Sequence, residues 1–306
     1  MLRFILGKLA RTLSVLLGVS FLTFMIGHAS GDPVLLIVRG DATAQQKADL
    51  RHSLGLDRPV LGQYVTYVAH AAQGDLGISY RQRVSVSSLI ALRLPNSLEL
   101  AGTAFAAAIG LGFALGVVAA LNRGRFADHA IAGFSVIGQV VPGFWLGLIL
   151  VLLFAVHWPL LPVSGYGDFS HLILPAITLA LPTLGRMARL VRAGMLEVLS
   201  SDFIRTARAK GLPERQVLLH HATKNALLPL ITQAGLELGD MVGSAFIIES
   251  VFAWPGIGRL TVNAVQQRDF LVVQGCVLVT AVGFVLINLL VDLLYAVIDP
   301  RVRARV

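Results

Sequence analysis

Long apolar stretches alternate with polar segments along most of this chain. Six of the stretches approach the roughly 20 residues that an α-helix needs to cross a bilayer. Their approximate limits are 9–29, 98–121, 129–157, 172–192, 226–250 and 271–297. The pattern therefore predicts an all-α integral membrane protein with about six transmembrane helices.

One polar segment is much longer than the others. Residues 30–97 are not of low complexity, and glycine and proline interrupt them repeatedly. Loops of this length are usually functional or form a small ordered unit. We therefore expect a compact external insert at 30–97, between a first helix at 1–29 and a five-helix core at 98–306.

The composition indicates that lipid surrounds much of the protein. Of the 306 residues, 56% are hydrophobic and 14% are charged, whereas a soluble domain usually carries about 25% charge. The single cysteine, Cys276, excludes an intrachain disulfide. The formal net charge of +8 could attract nucleic acid, but the bases flank apolar stretches, which favours a role in membrane orientation.

The distribution of bases predicts an orientation. Most of the 25 lysines and arginines lie before the first stretch, in the second and fourth loops and after the last stretch, and the short third loop at 157–171 has none. Cytoplasmic loops carry the excess of lysine and arginine, so both termini are predicted to be cytoplasmic. The basic start also fits a signal peptide, but no A-x-A cleavage pattern directly follows the first stretch, and we interpret it as a retained span.

The fifth apolar stretch carries a polar stripe. Gln233, Glu237, Asp240 and Ser244 are spaced by four, three and four residues, which places them on one face of a helix. Carboxylates at membrane depth are costly, so they face a bundle interior or a wet cavity. The stripe either lines a transport pathway or pairs with bases and amides that hold the fold.

The fourth loop, at 193–225, contains a short helix with clear start and stop signals. Ser200, Ser201 or Asp202 can cap its start, and Gly211 followed by Pro213 ends it. The expected helix is basic on its exposed side. On physical grounds it is either gripped by a cytoplasmic partner protein or lies on anionic lipid.

A second loop of interest follows the fifth stretch on the outer side. It is rich in proline and glycine, which suits either a gate or docking edge or a plain re-entrant turn. Its candidate residues are Glu249, Trp254, Pro255, Gly256 and Gly258.

No catalytic or metal-binding set emerges from the sequence. The pattern G-x-x-x-x-G-K-[ST] is missing, so the chain is not predicted to bind ATP through a P-loop. The pattern H-E-x-x-H is also missing, and only His220 and His221 of the eight histidines are adjacent. We therefore expect neither an enzyme nor a metal site in this chain.

An ordered set of motifs resembles the permease subunits of dipeptide, oligopeptide and nickel ABC importers. Arg205-Thr206-Ala207, followed by Gly211, resembles the coupling loop of these permeases in its R-T-A-R-A-K-G form. The likeness continues through GDP at 31–33, LGLDRP at 54–59, GDLG at 74–77, PGFW at 142–145, ESVFAWPGIGR at 249–259, DLLY at 292–295 and DPR at 299–301. It covers almost the whole chain and identifies the subunit type that has a long external loop after the first span.

The resemblance implies a type I ABC importer permease fold in the cytoplasmic (inner) membrane of a bacterium. It also implies a homologous permease partner, two ATPase subunits that bind ATP and Mg²⁺, and an external substrate-binding protein. The residues that it assigns to ATPase coupling are Phe203, Arg205, Thr206, Ala207, Arg208, Lys210 and Gly211. No cofactor is expected in this chain itself.

The expected function is therefore that of a permease subunit that moves dipeptides or oligopeptides with energy from partner ATPases. Nickel or a nickel chelate is the alternative cargo, because the Glu237 and Asp240 stripe would suit a cation. A channel or secondary transporter is less favoured, since it would more often show internal repeats. A membrane-embedded enzyme would have only Glu237 and Asp240 as paired candidates.

Overall fold

A computed structural model describes residues 2–29, 34, 38, 43–53 and 55–298. Throughout this part of the chain the secondary structure is helical, apart from turns and one isolated bridge between Ile78 and Ser85. The motifs at 31–33 and 299–301, Leu54 and the terminal bases Arg301, Arg303 and Arg305 lie outside the described residues. The chain divides into two compact units.

The first unit combines Met1–Ser97 with Pro255–Leu286. Its helices are α1 (Leu2–Ala29), α2 (Ala44–Ser53), α3 (Val60–Ala72), the start of α4 (Val86–Leu121), α10 (Ile257–Gln266) and most of α11 (Phe270–Ile298). The predicted insert belongs to this unit, and it is tied to helices distant in sequence. Tyr64 in α3 donates a hydrogen bond of 3.0 Å to the Leu17 carbonyl in α1.

A carboxylate joins the insert to the start of α11. Asp269 accepts hydrogen bonds from the Ser79 hydroxyl at 2.5 Å and from the backbone amides of Tyr80 and Arg81 at 3.3 and 3.2 Å. Burial raises the pKa of Tyr80 to about 12. Leu76, Val86 and Val272 belong to the apolar core beneath this junction.

The second unit combines Leu98–Trp254 with Ile287–Val302. It contains the rest of α4, then α5 (Phe126–Val140), α6 (Gly143–Val151) with a π-helical turn (Leu152–His157), α7 (Phe169–Leu199), α8 (Asp202–Ala209), and α9 (Thr223–Val251). A short helical segment (Glu214–Gln216) and a second π-helical turn (Val217–Ala222) connect α8 to α9. The cores of this unit lie mainly on α7, whose buried face includes Leu174, Leu184, Met187 and Met195.

Four helices in the described chain are long and apolar enough to cross a membrane. They are Arg11–Ala29, Val86–Leu121, Phe169–Leu199 and Phe270–Val291. A fifth span exists if α5 and α6 count as one crossing. The predicted stretch at 226–250 lies within α9, which is continuous and contains Gln233, Glu237 and Asp240.

The stretch predicted as one span at 129–157 is bent by 108° between α5 and α6. Pro142 is responsible, because a proline disfavours helical geometry in the residue before it. Val141 accordingly has an extended backbone, with φ −75° and ψ 124°. The predicted stretch at 129–157 is therefore not one continuous helix. The bend brings the PGFW segment against α9, where Gly143 lies next to Ile248.

Candidate functional site

Helix α8 is held against the second unit by one apolar face. Ile204 and Ala207 are buried, three residues apart on the same side of the helix. They pack into a cluster that contains Met187 and Met195 of α7 and Ala222 just before α9. The helix therefore shares one apolar cluster with α7 and with the π-helical turn that leads into α9.

The ends of α8 follow the expected signals with small differences. Its N-cap is Ser201, but the Ser201 hydroxyl donates to the Val198 carbonyl at 2.6 Å and does not cap the helix. Lys210 closes the helix, and Gly211 takes the left-handed backbone that follows many helices, with φ +75°. The observed limits, Asp202–Ala209, lie within two residues of those predicted.

The opposite face of α8 is exposed. Phe203 is 46% exposed. The other exposed residues predicted for coupling are Arg205, Thr206, Arg208, Lys210 and Gly211. Ala207 differs from the prediction, because its side chain faces the internal cluster and not this surface. An exposed aromatic residue among bases is a composition enriched at protein interfaces.

An ion pair braces the end of this segment. Arg208 donates to both carboxylate oxygens of Glu214, at 3.1 and 2.7 Å. These hydrogen bonds hold the pKa of the Glu214 carboxyl below its ordinary value of 4.5 and raise the pKa of Arg208. Arg208 is thus oriented toward the following turn, whereas Arg205 makes only a long contact of 3.4 Å with Asp202.

The polar stripe of α9 separates into two environments. Glu237 is 2% exposed and accepts hydrogen bonds from Arg186 and Thr183 of α7, the latter at 3.0 Å. The Gln233 amide donates to the same carboxylate at 3.1 Å. Gln233 and Glu237 therefore take part in a buried network between α7 and α9.

The other two residues of the stripe are exposed and line a cavity. Asp240 and Ser244 lie on its α9 wall, and Thr183 and Arg186 lie on its α7 wall. The cavity has a volume of about 280 Å³. Its remaining walls are mainly apolar and include Pro142 and Phe144 from the bent junction between α5 and α6. Whether cargo passes along this stripe stays a prediction.

The end of α9 and the loop that follows it are packed more tightly than a surface loop. Glu249 and Trp254 are both 1% exposed, and the Trp254 ring packs edge to face on Tyr166 at 4.9 Å between centroids. Neither side chain is available to a docked protein in this conformation. Pro255, Gly256 and Gly258 lead into α10 in the first unit, where Asn96 donates to the Pro255 carbonyl at 3.0 Å.

Comparison with known proteins agrees with the resemblance. Residues 112–304 match the family described as the inner membrane component of binding-protein-dependent transport systems, and residues 1–101 match the N-terminal family of the same components. The chain belongs to this permease family.

Curated relatives match the permease along its whole length. It is 40% identical over 337 residues to the dipeptide transport system permease protein DppB of Escherichia coli strain K12, with 99% of each chain covered. It is 41% identical over 304 residues to the glutathione transport system permease protein GsiC of Escherichia coli O6:H1, again with 99% of each chain covered. The predictions of an ABC importer permease and of an inner-membrane location are confirmed. The nickel alternative finds no support among these relatives.

Solved structures confirm the fold class. The permease resembles a chain of the inward-facing MetNI methionine ABC transporter with a TM-score of 0.56 at 17% identity, over 69% of this chain and 96% of the other. It also resembles a chain of an amino acid ABC transporter, with a TM-score of 0.52 at 16% identity, over 70% and 94% of the two chains. At these identities the likeness shows the fold alone.

Two residues important to the cavity in the permease were missed as site candidates. The sequence pattern presents Arg186 only as one of the bases that orient the membrane spans, and nothing in it singles out Thr183. Both sit within α7 and contact Glu237, which is 51 residues further along the chain from Arg186. An arginine inside an apolar stretch was the available signal, since such a base needs a partner.

Proposed function

We propose that this permease is one of two homologous membrane subunits of a bacterial peptide importer, and that a cytoplasmic ATPase subunit moves it through α8. In this proposal two ATPase subunits bind ATP and Mg²⁺, and an external binding protein delivers the cargo. Both chain termini and α8 face the cytoplasm, and the insert faces the outside.

The observation that carries the coupling role is the division of α8 into two faces. The buried Ile204 and Ala207 fix the helix to the second unit, and Phe203 and Arg205 are both exposed. A helix that only rested on lipid would not need a buried face packed into the protein core. Binding on the exposed face is the role that this arrangement supports best.

The packing also supports transmission of movement. Ile204 shares one apolar cluster with Met187 and Val191 of α7 and with Leu230 of α9. Because protein interiors are close-packed, a displacement of α8 is passed to both helices as a rigid-body shift. The cavity lies between the same two helices, so this shift reaches the proposed pathway.

The cargo is inferred from the relatives. Their names specify dipeptide and glutathione transport, and both cargoes are short peptides. The high identity over whole chains supports the same chemical class here. We therefore assign short peptides as the cargo of this importer.

The test is to purify the permease with its partner subunits after substituting one exposed phenylalanine. Phe203→Ala removes apolar contact area from α8, so we expect loss of bound ATPase subunit and of peptide uptake in proteoliposomes. Phe126→Ala is the matched control, because Phe126 is 88% exposed at the start of α5. Retention of ATPase by Phe203→Ala, or equal loss in both variants, would contradict the assignment of α8.

A further inference from the structure

The cavity between α7 and α9 is lined by groups of both charge signs. Arg186 and Asp240 both face it, together with the Thr183 and Ser244 hydroxyls. Its volume of about 280 Å³ lies just below the roughly 300–1,000 Å³ that ligand pockets occupy. The cavity therefore suits a small ligand that has charged groups for Arg186 and Asp240.

Arg186 is held so that part of its guanidinium stays available. Its Nε donates to one oxygen of Glu237 at 2.7 Å, and its Nη2 donates to the other oxygen and to Thr183 at 3.2 Å. Within the described chain, Nη1 has no hydrogen-bond partner, and the side chain is 36% exposed. A guanidinium has five N–H donors in a fixed plane, so the buried Glu237 fixes one edge of this plane while the Nη1 protons are left for a ligand.

Asp240 is the complementary group. It is exposed, and no base lies within ion-pair distance of its carboxylate in the part of the chain that the structure describes. Glu237 cannot play the same role, because its two oxygens already accept hydrogen bonds from Arg186, Thr183 and Gln233. An unpaired carboxylate in a membrane helix is costly unless a ligand, a partner or water compensates it.

The charged side chains that line the cavity or hold its lining do not balance one another. The Arg186 and Glu237 pair is neutral as a unit, so Asp240 gives the cavity one uncompensated negative charge. A simple cation would neutralise Asp240 but would leave the Nη1 donors of Arg186 unused. A molecule with an ammonium at one end and a carboxylate at the other satisfies both groups.

We propose that this cavity is a subsite for a zwitterionic peptide, with the peptide ammonium at Asp240 and the peptide carboxylate at Nη1 of Arg186. The inference rests on the proposed function, since it takes short peptides as the cargo. It adds the residues that recognise the two ends of the cargo within the membrane. Glu237 and Thr183 are positioning residues, because they act by holding Arg186.

The test measures binding to the purified complex of the permease and its partner subunits, without the binding protein, which would otherwise select the ligand first. Three probes are titrated by calorimetry: Ala-Ala, N-acetyl-Ala-Ala and Ala-Ala-amide. Ala-Ala should bind, and blocking either end should weaken binding about tenfold, since each end loses a hydrogen bond to a charged group.

The variant Asp240→Asn distinguishes the two ends. It should weaken Ala-Ala about tenfold, but it should have little further effect on N-acetyl-Ala-Ala, since that probe has no ammonium to lose. The effects of Asp240→Asn and of acetylating the peptide ammonium should therefore not be additive, as for contacting groups in a double-mutant cycle. Amidation of the other end should still weaken binding to the variant, and Asp240→Glu should restore most of the affinity for Ala-Ala.

Three results would overturn the inference. In the first, the wild-type complex binds no Ala-Ala. In the second, Asp240→Asn weakens the binding of all three probes equally. In the third, the Asp240→Asn complex melts several degrees lower, because Asp240 pairs with a base of a partner subunit. Uptake of Ala-Ala by the wild-type importer with its binding protein is measured separately. If that uptake is missing, the proposed function fails, whereas normal uptake with any of the three results defeats only this subsite.

Discussion

Arg192 forms a bidentate ion pair with Asp128, with Nε at 2.5 Å from one carboxylate oxygen and Nη2 at 2.8 Å from the other. Asp128 is buried in the first turn of α5, and its carboxylate also accepts the Gly124 amide at 3.0 Å. Since Arg192 belongs to α7, the pair joins the turn before α5 to the helix that carries the cavity wall. Paired geometry of this kind is the strongest form of side-chain hydrogen bonding.

Removing the carboxylate with Asp128→Ala should destabilise the permease. Arg192 and the Gly124 amide both lose their acceptor, which costs about 1.5–3 kcal/mol for hydrogen bonds to a charged group. The loss of unfolding free energy should be smaller than for breaking a fully buried ion pair, because 33% of the Arg192 side chain is exposed to solvent. The melting temperature of the purified complex should fall by several degrees.

The matched control is Asp202→Asn. Asp202 also contacts an arginine, but its side chain is 96% exposed and the contact to Arg205 is 3.4 Å long. Such surface pairs contribute about 0–1 kcal/mol. Equal melting temperatures for Asp128→Ala and wild type would show that the pair does not hold α5 to α7.

Glu237 and Asp240 should behave differently when each loses its charge. Glu237→Gln leaves Arg186 without a counter-ion and turns an amide donor toward its N–H groups, so we expect a loss of roughly 1.5–3 kcal/mol or more. Asp240→Asn removes an exposed charge without a partner in the described chain, so stability should change by less than about 0.5 kcal/mol. Thermal melting of both variants checks that Glu237→Gln is the less stable one. A Glu237→Gln variant as stable as wild type would show that Glu237 does not stabilise the contact between α7 and α9.

The sequence carried much of the information about α8. Gly211 and Pro213 mark its end, and the motif of Arg205, Thr206 and Ala207 marks its role. It did not reveal which face is buried, because Ile204 and Ala207 are held by residues from α7 and from the turn before α9. A pattern of eight residues does not show which side a distant helix will cover.

The pairing of Arg186 with Glu237 could not be predicted from the local sequence, for a related reason. Glu237 and Asp240 have the same chemistry and are one helical turn apart, yet only Glu237 meets Arg186. Their difference depends on how α7 packs against α9, which is a contact between residues about 50 positions apart. The bend at Pro142, by contrast, follows from the local backbone rule and could have been predicted.

Gly211 should be required for its backbone conformation and not for its small size. Its φ is +75°, and an added Cβ would meet no heavy atom within 4 Å. Gly211→Ala should therefore cost about 1–2 kcal/mol for a left-handed residue, and Gly211→Asn should cost less, since asparagine tolerates this conformation. Hydrogen exchange of the peptide that covers α8 should become roughly 5–30 times faster in Gly211→Ala.

The control for this prediction is Gly62→Ala in α3, where space is also open but the φ is not left-handed. Alanine is favoured over glycine in a helix interior. We expect no loss of protection around residue 62. If Gly211→Ala exchanges as slowly as wild type, the left-handed turn is not needed to end α8.

Asp168 anchors the start of α7 through three hydrogen bonds. One of its oxygens accepts the Ser170 amide at 3.2 Å, the Ser170 hydroxyl at 2.5 Å and His171 Nδ1 at 2.9 Å. The hydrogen bonds from Ser170 and then from His171 hold the pKa of the Asp168 carboxyl below its ordinary value of 3.8. The carboxylate is therefore favoured in the folded protein.

A lowered carboxyl pKa fixes the sign of the pH dependence. The stabilisation that Asp168 gives is fully present above its ordinary pKa of 3.8 and is lost as the pH falls through the lower pKa of the folded state. Protection of the Ser170 amide against hydrogen exchange, corrected for the intrinsic rate, should therefore decline on acidification below that range. Asp168→Asn keeps an equally good N-cap but has no carboxyl to titrate, so its protection should not decline through the same window. A decline of equal size in Asp168→Asn would assign the acid sensitivity of this helix start to another group.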